Sequence, residues 1–230
     1  SCAARRILSN HSAHPFAARA SCRCQNVFSL PFAHKKEEAR KELGLDEKPL
    51  IVSAWGSLGA REMNKKIAAF FKAEAEDGLF RHVHATGSYG WRWMPDYVKE
   101  QGVELSQYPD LEMREYIYDM PRLMAAADLV ICRAGAATIS EVCASGTPCI
   151  MVPSPNVTDN HQEKNARVLE AHGAAVVVRE ADCTGESLYA EAKRLLQDEE
   201  KLRSMRAAAR SMAVVDSAEQ ILSVIRELTT

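Results

Sequence analysis

No apolar run in this chain approaches the ~20 residues that a bilayer-spanning helix needs. That excludes a hydrophobic helical span and leaves a peripheral membrane contact open. There is no surplus of positive charge either. With 29 Lys and Arg against 31 Asp and Glu, the formal net charge is −2. A nucleic-acid partner, whose phosphates call for a basic face, is not expected. The seven cysteines are an odd number and form no zinc-spaced pair of pairs. Cys22-Arg23-Cys24 is an isolated pair, while Cys132, Cys143 and Cys149 sit in apolar contexts and read as small core residues, a pattern that suits a reducing compartment. Neither G-x-G-x-x-G nor G-x-x-x-x-G-K-[ST] occurs at the glycine turn of residues 56–59. No Ser-His-Asp order, zinc-spaced His pair or Asp-x-Asp pair is evident, so no metal and no cofactor are expected. Acidic residues are missing from positions 1–36, which carry Arg5, Arg6, Arg19 and Arg23 among many Ser and Ala. Such a stretch reads as an organellar transit peptide or as irregular or foreign sequence at a fragment end, with little stable structure before about residue 34.

What is present from residue 37 onward is ordinary globular sequence, 47% hydrophobic and 26% charged over the whole chain, and long enough to bury a core. Lys35 to Leu45 reads as a charged helix ended by Gly44. A buried strand at 49–55, a turn at Gly56-Ser57-Leu58-Gly59 and an amphipathic helix from Ala60 to about Ala75 follow. The pattern then predicts a strand at 82–86, a loop bearing Tyr89, Trp91 and Trp93, and a helix at 97–101. Short strands are expected at 103–106 and 114–118, and a helix at 121–127. Strands at 129–132, 149–152 and 175–179 alternate with helices opened by Thr138 and by His161, and three helices cover about 184–197, 198–212 and 216–228. Such alternation implies an α/β fold, a Rossmann-like parallel sheet with helices on both faces, in one domain over residues 37–230.

The stretch from Asp128 to Asn165 organises the rest. Its strand, small-residue turn (Ala134-Gly135-Ala136-Ala137), helix start, second strand and polar loop gather hydrogen-bonding groups at one sheet edge. That edge, beyond the carboxyl ends of parallel strands, is where open α/β folds bind ligands. A helix start there offers free N–H groups and the positive end of a dipole, which suits phosphate. The expected ligand is a nucleoside diphosphate joined to a sugar. Thr138-Ile139-Ser140-Glu141 has capping-box spacing, so two readings are open. Thr138 caps the helix with Glu141 folded back, or Glu141 reaches out and accepts from the two hydroxyls of a ribose, as an acceptor-only carboxylate can. At His161-Gln162 two readings are open as well: Asp159 is a plain N-cap with Gln162 a solvated first-turn residue, or the Gln162 amide, which both donates and accepts, meets sugar hydroxyls. The glycine turn by itself is as well explained by tight strand-helix packing as by a ligand.

The segments GSLGAREMNKKI, REYIYDMPRLMAAADLVICRAGAATISE and DNHQEKNARVLEAHGAA together resemble the C-terminal half of MurG-like glycosyltransferases, over roughly residues 37–230. The resemblance implies the C-terminal domain of a GT-B fold, which binds UDP-GlcNAc. The whole enzyme transfers GlcNAc, with inversion and without metal, to the lipid-linked muramyl-pentapeptide of peptidoglycan synthesis, on the cytoplasmic face of the membrane as a peripheral protein. By motif position Ser57 would contact the diphosphate, and Ile117 would meet the uracil through its backbone. Gly135, Ala136, Ala137, Thr138, Ile139, Ser140 and Glu141 would form the nucleotide loop and helix start, with His161 and Gln162 at the sugar. Two departures stand out. Nothing here matches the family's N-terminal acceptor domain, so the catalytic base is expected outside this chain. Where the family has Gly-Asn-Pro-Val-Arg, this chain has Ser29-Leu30-Pro31-Phe32-Ala33, without the arginine. A two-chain GlcNAc transferase of the N-glycan type, a non-enzymatic nucleotide-sugar-binding remnant and a sugar-nucleotide epimerase are the rival readings.

Overall fold

A computed structural model of the chain describes residues 35–214 and 216–229. Expectations for residues 1–33, including the Cys22–Cys24 pair and the Ala33 departure, lie outside the described residues. In chain order the elements are α1 (Lys36–Glu42), β1 (Leu50–Ala54), α2 (Arg61–Asp77), β2 (Arg81–Ala85), α3 (Gly87–Gly90), α4 (Met94–Glu100) and β3 (Leu111–Arg114). There follow α5 (Met120–Ala126), β4 (Leu129–Cys132), α6 (Ala136–Ser145), β5 (Cys149–Met151), α7 (His161–Ala171), β6 (Ala175–Val177), α8 (Gly185–Leu196), α9 (Glu199–Ser211) and α10 (Ser217–Thr229). One unit covers His34–Ala213; α10 belongs to the other, and its Ile221, Val224, Ile225 and Leu228 are exposed.

Among the described residues the strands form one all-parallel sheet in the order β3-β2-β1-β4-β5-β6. Chain progression reverses between β1 and β4, which places the switch-point crevice beyond those two strands. Ala54 pairs with Cys132, so both strands end level and their following loops leave from one place. The central strands β1, β4 and β5 are buried on both faces, as a sheet covered on two sides requires. In β4, Leu129 and Ile131 face a core built with Met63, Ile67, Phe70 and Phe71 of α2 and with Leu188, Ala192 and Leu195 of α8. Val130 and Cys132 face the opposite core, with Leu123 and Met124 of α5, Val142 of α6, and Ala166 and Leu169 of α7. At the amino edge Asp128 ties layers together: it accepts from Lys36, from Arg40 at 3.0 Å and from the N–H of Leu50 at 2.9 Å.

A buried polar chain runs from the sheet to the turn after β1. Asn64 Nδ2 donates to the Thr86 carbonyl (2.9 Å), which leaves its Oδ1 to accept from His84 Nε2 (3.2 Å). His84 Nδ1 must then accept from the Ser53 hydroxyl (2.7 Å), and Ser53 Oγ accepts from His82 Nε2 (2.7 Å). His82 Nδ1, the acceptor at the end, is buried without a partner. Both imidazoles are fully enclosed, and burial holds them neutral, with His84 lowered to about 3 and His82 well below its ordinary value. The far end of the chain, Thr86, abuts Gly59. At φ 79° Gly59 takes a conformation that disfavours side chains, and a Cβ there would run into the Thr86 carbonyl. Gly87, at φ 73°, meets the Gly59 backbone in the same way. Ser88 N–H donates to Ser57 O at 3.1 Å, locking the two turns together.

The sequence pattern misplaced five local features. Residues 103–106 do not form a strand; a 3-10 turn occupies Leu105–Gln107. The outer strand is Leu111–Arg114 and not 114–118, because Leu111 is the apolar residue that reaches the core there. The aromatic stretch expected as a loop includes the short α3. Helix α6 begins at Ala136, with extended Gly135 as its N-cap, so Thr138 sits inside the first turn and no capping box forms. Asp159 is not the cap of α7 either: Asn160 holds that place, both have positive φ, and Asp159 pairs with Lys164 at 2.7 Å.

Candidate functional site

At the switch point, beyond β1 and β4, lies a cavity of about 320 Å³. Its floor is apolar, from Val52, Ala54, Ala85, Val130 and Cys132, because these strand ends carry their alternating core residues up to the rim. Its walls come from separate segments. Trp55 and Ser57 follow β1, Tyr116 and Ile117 follow β3, Arg133 and Gly135 follow β4, Thr138 and Glu141 lie on α6, and Gln162 opens α7. Of the residues singled out from sequence, Ser57, Ile117, Gly135, Thr138, Glu141 and Gln162 line one space. Ala136, Ala137, Ile139, Ser140 and His161 do not line it. Ser140 Oγ turns back to Ala136 O (3.1 Å), Ile139 packs toward the core, and exposed His161 holds Thr158 O through Nδ1 (3.0 Å).

The chemistry of each wall follows from what is left unpaired. Among the described residues no side chain caps α6 and none engages the N–H groups of its first turn, and a Cβ at Gly135 would meet open space. The site therefore has a ten-residue helix whose positive end faces an empty region. Buried Ile117 has backbone N–H and C=O groups that no described residue engages. Such a pair can read one edge of a planar base. Glu141 is half-buried, lines the cavity and makes no hydrogen bond or ion pair with another described residue. Desolvation raises its carboxyl above the ordinary value. Gln162 accepts from the Ser154 N–H through Oε1 at 3.0 Å, which leaves its Nε2 to donate.

Three wall residues, Trp55, Tyr116 and Arg133, were not picked out from sequence. Arg133 could have been: it is the one charged residue in CRAGAA, directly after the central strand, where only a site or a structural tie gives a charge a place. Trp55 and Tyr116 carried no comparable signal, since aromatic residues beside a strand are ordinary core.

The sheet order, the cavity at the switch point and the helix start facing it define a Rossmann-like ligand-binding domain. The pattern of the glycosyltransferase family 28 C-terminal domain matches residues 50–221, and the chain belongs to that family. It is 41% identical over 194 residues to the UDP-N-acetylglucosamine--N-acetylmuramyl-(pentapeptide) pyrophosphoryl-undecaprenol N-acetylglucosamine transferase of Acetivibrio thermocellus, covering 84% of this chain and 51% of that one. The enzyme of the same name from Thermoanaerobacter sp. is 40% identical over 195 residues, covering 84% and 52%. Among solved structures, Acinetobacter baumannii MurG superposes with a TM-score of 0.69 at 25% identity, over 86% of this chain and 55% of that one. The chain thus spans about half the length of the curated relatives it matches.

Proposed function

We propose that this chain binds UDP-GlcNAc and serves as the donor side of a transfer of GlcNAc to a lipid-linked muramyl-pentapeptide. The observation that carries the reading is the convergence of Ile117, the bare start of α6, Glu141 and Gln162 on one cavity from segments far apart in sequence. The uracil edge pairs with the Ile117 backbone. The ribose hydroxyls donate to Glu141, the diphosphate lies against the first turn of α6 and the Ser57 turn, and Gln162 Nε2 donates to the sugar. In an inverting transfer the acceptor hydroxyl attacks the anomeric carbon, the bond from that carbon to the diphosphate oxygen breaks, and a base takes the hydroxyl proton. Bare N–H groups and the helix dipole stabilise the charge growing on the leaving UDP. Glu141 is committed to the ribose, so we place the base outside the residues of this cavity. Steady GlcNAc transfer by this chain alone would overturn that placement.

The relatives' acceptor is lipid-linked, which supports a peripheral position on the cytoplasmic face of the membrane. Among the described residues no helix is long and apolar enough to cross one. The donor reading is tested by calorimetric titration with UDP-GlcNAc, UDP-GalNAc and UDP, with Glu141→Ala as control. The expected result is a preference for UDP-GlcNAc and weakened binding of all three by the variant. A Glu141→Ala protein that binds UDP unchanged would sink the ribose assignment.

A further inference from the structure

Arg133 occupies an unusual position. Its side chain, 12% exposed, leaves the end of β4 and crosses the carboxyl edge of the sheet. Nη1 donates to Val152 O at 3.0 Å and to Pro153 O at 3.2 Å, and faces Glu180 Oε2 at 2.6 Å. The guanidinium carbon stands 5.7 Å from the centre of the Trp55 ring. The segments after β1, β4, β5 and β6 therefore meet at one group. A fifth contact closes the ring: Lys66 Nζ of α2 donates to the carbonyl of Glu180 at 2.6 Å.

The two carbonyls lie just past the end of β5, where the ladder no longer supplies donors, and Arg133 supplies them instead. Immediately after Pro153, the Ser154 N–H donates to Gln162 Oε1 at 3.0 Å. The path from Arg133 to the Gln162 carboxamide is thus two carbonyls, one peptide unit and one hydrogen bond. Each step is a fixed contact, and the last one decides which end of the amide faces the cavity. With its oxygen held by Ser154, Gln162 presents its NH2 as a donor.

We infer that Arg133 is a positioning residue for the donor sugar: through Val152, Pro153 and Ser154 it holds Gln162 so that Nε2 meets a sugar hydroxyl, and so sets discrimination among donors. This rests on the reading of Gln162 given above. Nη1 of Arg133 is taken by a carboxylate and two carbonyls, so that nitrogen is not assigned to the diphosphate. A guanidinium suits the task since its long, rigid head carries Nη1 to all three groups while lying near the Trp55 ring.

The test is calorimetric titration of the whole chain with UDP-GlcNAc and with UDP. The proteins are the unsubstituted one, Arg133→Met, Gln162→Ala and the double variant. Arg133→Met is expected to lower the preference for UDP-GlcNAc over UDP by about fivefold, the scale of one lost hydrogen bond, with a much smaller change for UDP itself. In the Gln162→Ala background it should add nothing, since both changes remove one interaction. Equal losses for the two ligands, additive losses, or an unchanged preference would each overturn the inference. If Arg133→Met shows no cooperative melting, Arg133→Lys takes its place. That variant keeps a cation on the Glu180 side, but its nitrogen stops one bond short of the Nη1 position that reaches both carbonyls, and it should show the same loss of preference. Should Gln162→Ala keep the full preference for UDP-GlcNAc, the sugar reading of Gln162 falls and this inference with it. Should Gln162→Ala lose it while both Arg133 variants retain it, this inference falls alone.

Discussion

Glu141 stands in a helix with no hydrogen-bond or ion-pair partner among the described residues, half out of water, with its pKa raised by desolvation. A carboxylate left in that condition costs free energy in the empty protein, and two ribose hydroxyls would offset the cost. Its removal should weaken UDP by about 1.5–3 kcal/mol, the range for hydrogen bonds to a charged group. The unsubstituted chain should also prefer UDP to its 2′-deoxy form, and Glu141→Ala should lose that preference; competitive titration with the two nucleotides reads both. Because the ionised form accepts the bonds, UDP affinity should fall as pH is lowered, beginning above the usual carboxylate range. An affinity flat down to pH 4.5 would contradict the assignment. The residue type and its spacing from the small-residue turn were legible in the sequence. Whether it folds back onto the helix was not, since a capping box and an outward acid share one pattern.

At the scale of elements, the turns after β1 and β2 are pressed together without side chains between them. Gly87→Ala would place a methyl group against the Gly59 backbone at positive φ, and should cost at least about 2 kcal/mol by chemical denaturation. Some loss of donor affinity should accompany it, because Ser57 rides on the partner turn. Another element-level feature is the end of α2, where Glu74 Oε1 accepts from Phe80 N–H at 2.6 Å and Oε2 is buried without a partner. Burial raises this carboxyl from 4.5 to about 7. Between those two values the folded chain holds a proton that the unfolded chain has released, so stability falls as pH rises through this window. Glu74→Gln keeps the acceptor for Phe80 and removes the charge. Its melting temperature should exceed that of the parent at pH 8, and the two should converge near pH 4.5. Equal melting temperatures at pH 8 would show that the burial penalty is relieved by other means.

For the molecule as a whole, the chain His82-Ser53-His84-Asn64-Thr86 links the sheet interior to the turn that carries Ser57, and it requires both imidazoles to be neutral. Their folded values are depressed, to about 3 for His84. Below pH 6.5 the unfolded state takes up protons that the folded state refuses, so stability is lost as pH falls. The slope approaches about 1.4 kcal/mol per pH unit for each histidine. His82→Phe, set among Phe70 and Phe71, removes one titrating ring, and in the Glu74→Gln background, which removes the opposing carboxyl, urea midpoints between pH 6 and 4 should then fall about half as steeply. An unchanged slope would mean the acid limb has another source.

What the sequence determined by itself is local: periodicity of apolar residues marked most strands and helices, Gly146 ended α6, and one polar stretch carried an acid and an amide suited to hydroxyls. These were legible because backbone preference and burial pattern are written in neighbouring residues. Only the tertiary structure decided that Gly135 begins α6 without a side-chain cap, that Glu141 faces an opening, and that Arg133 spans four loop segments. A cap signal is a competition between local bonds and the path the chain must take from strand to helix. Here the tight turn after β4 settles that competition two residues ahead of Thr138. Likewise, Ile117 and Gln162 meet one cavity because parallel strands deliver their following loops to the same edge.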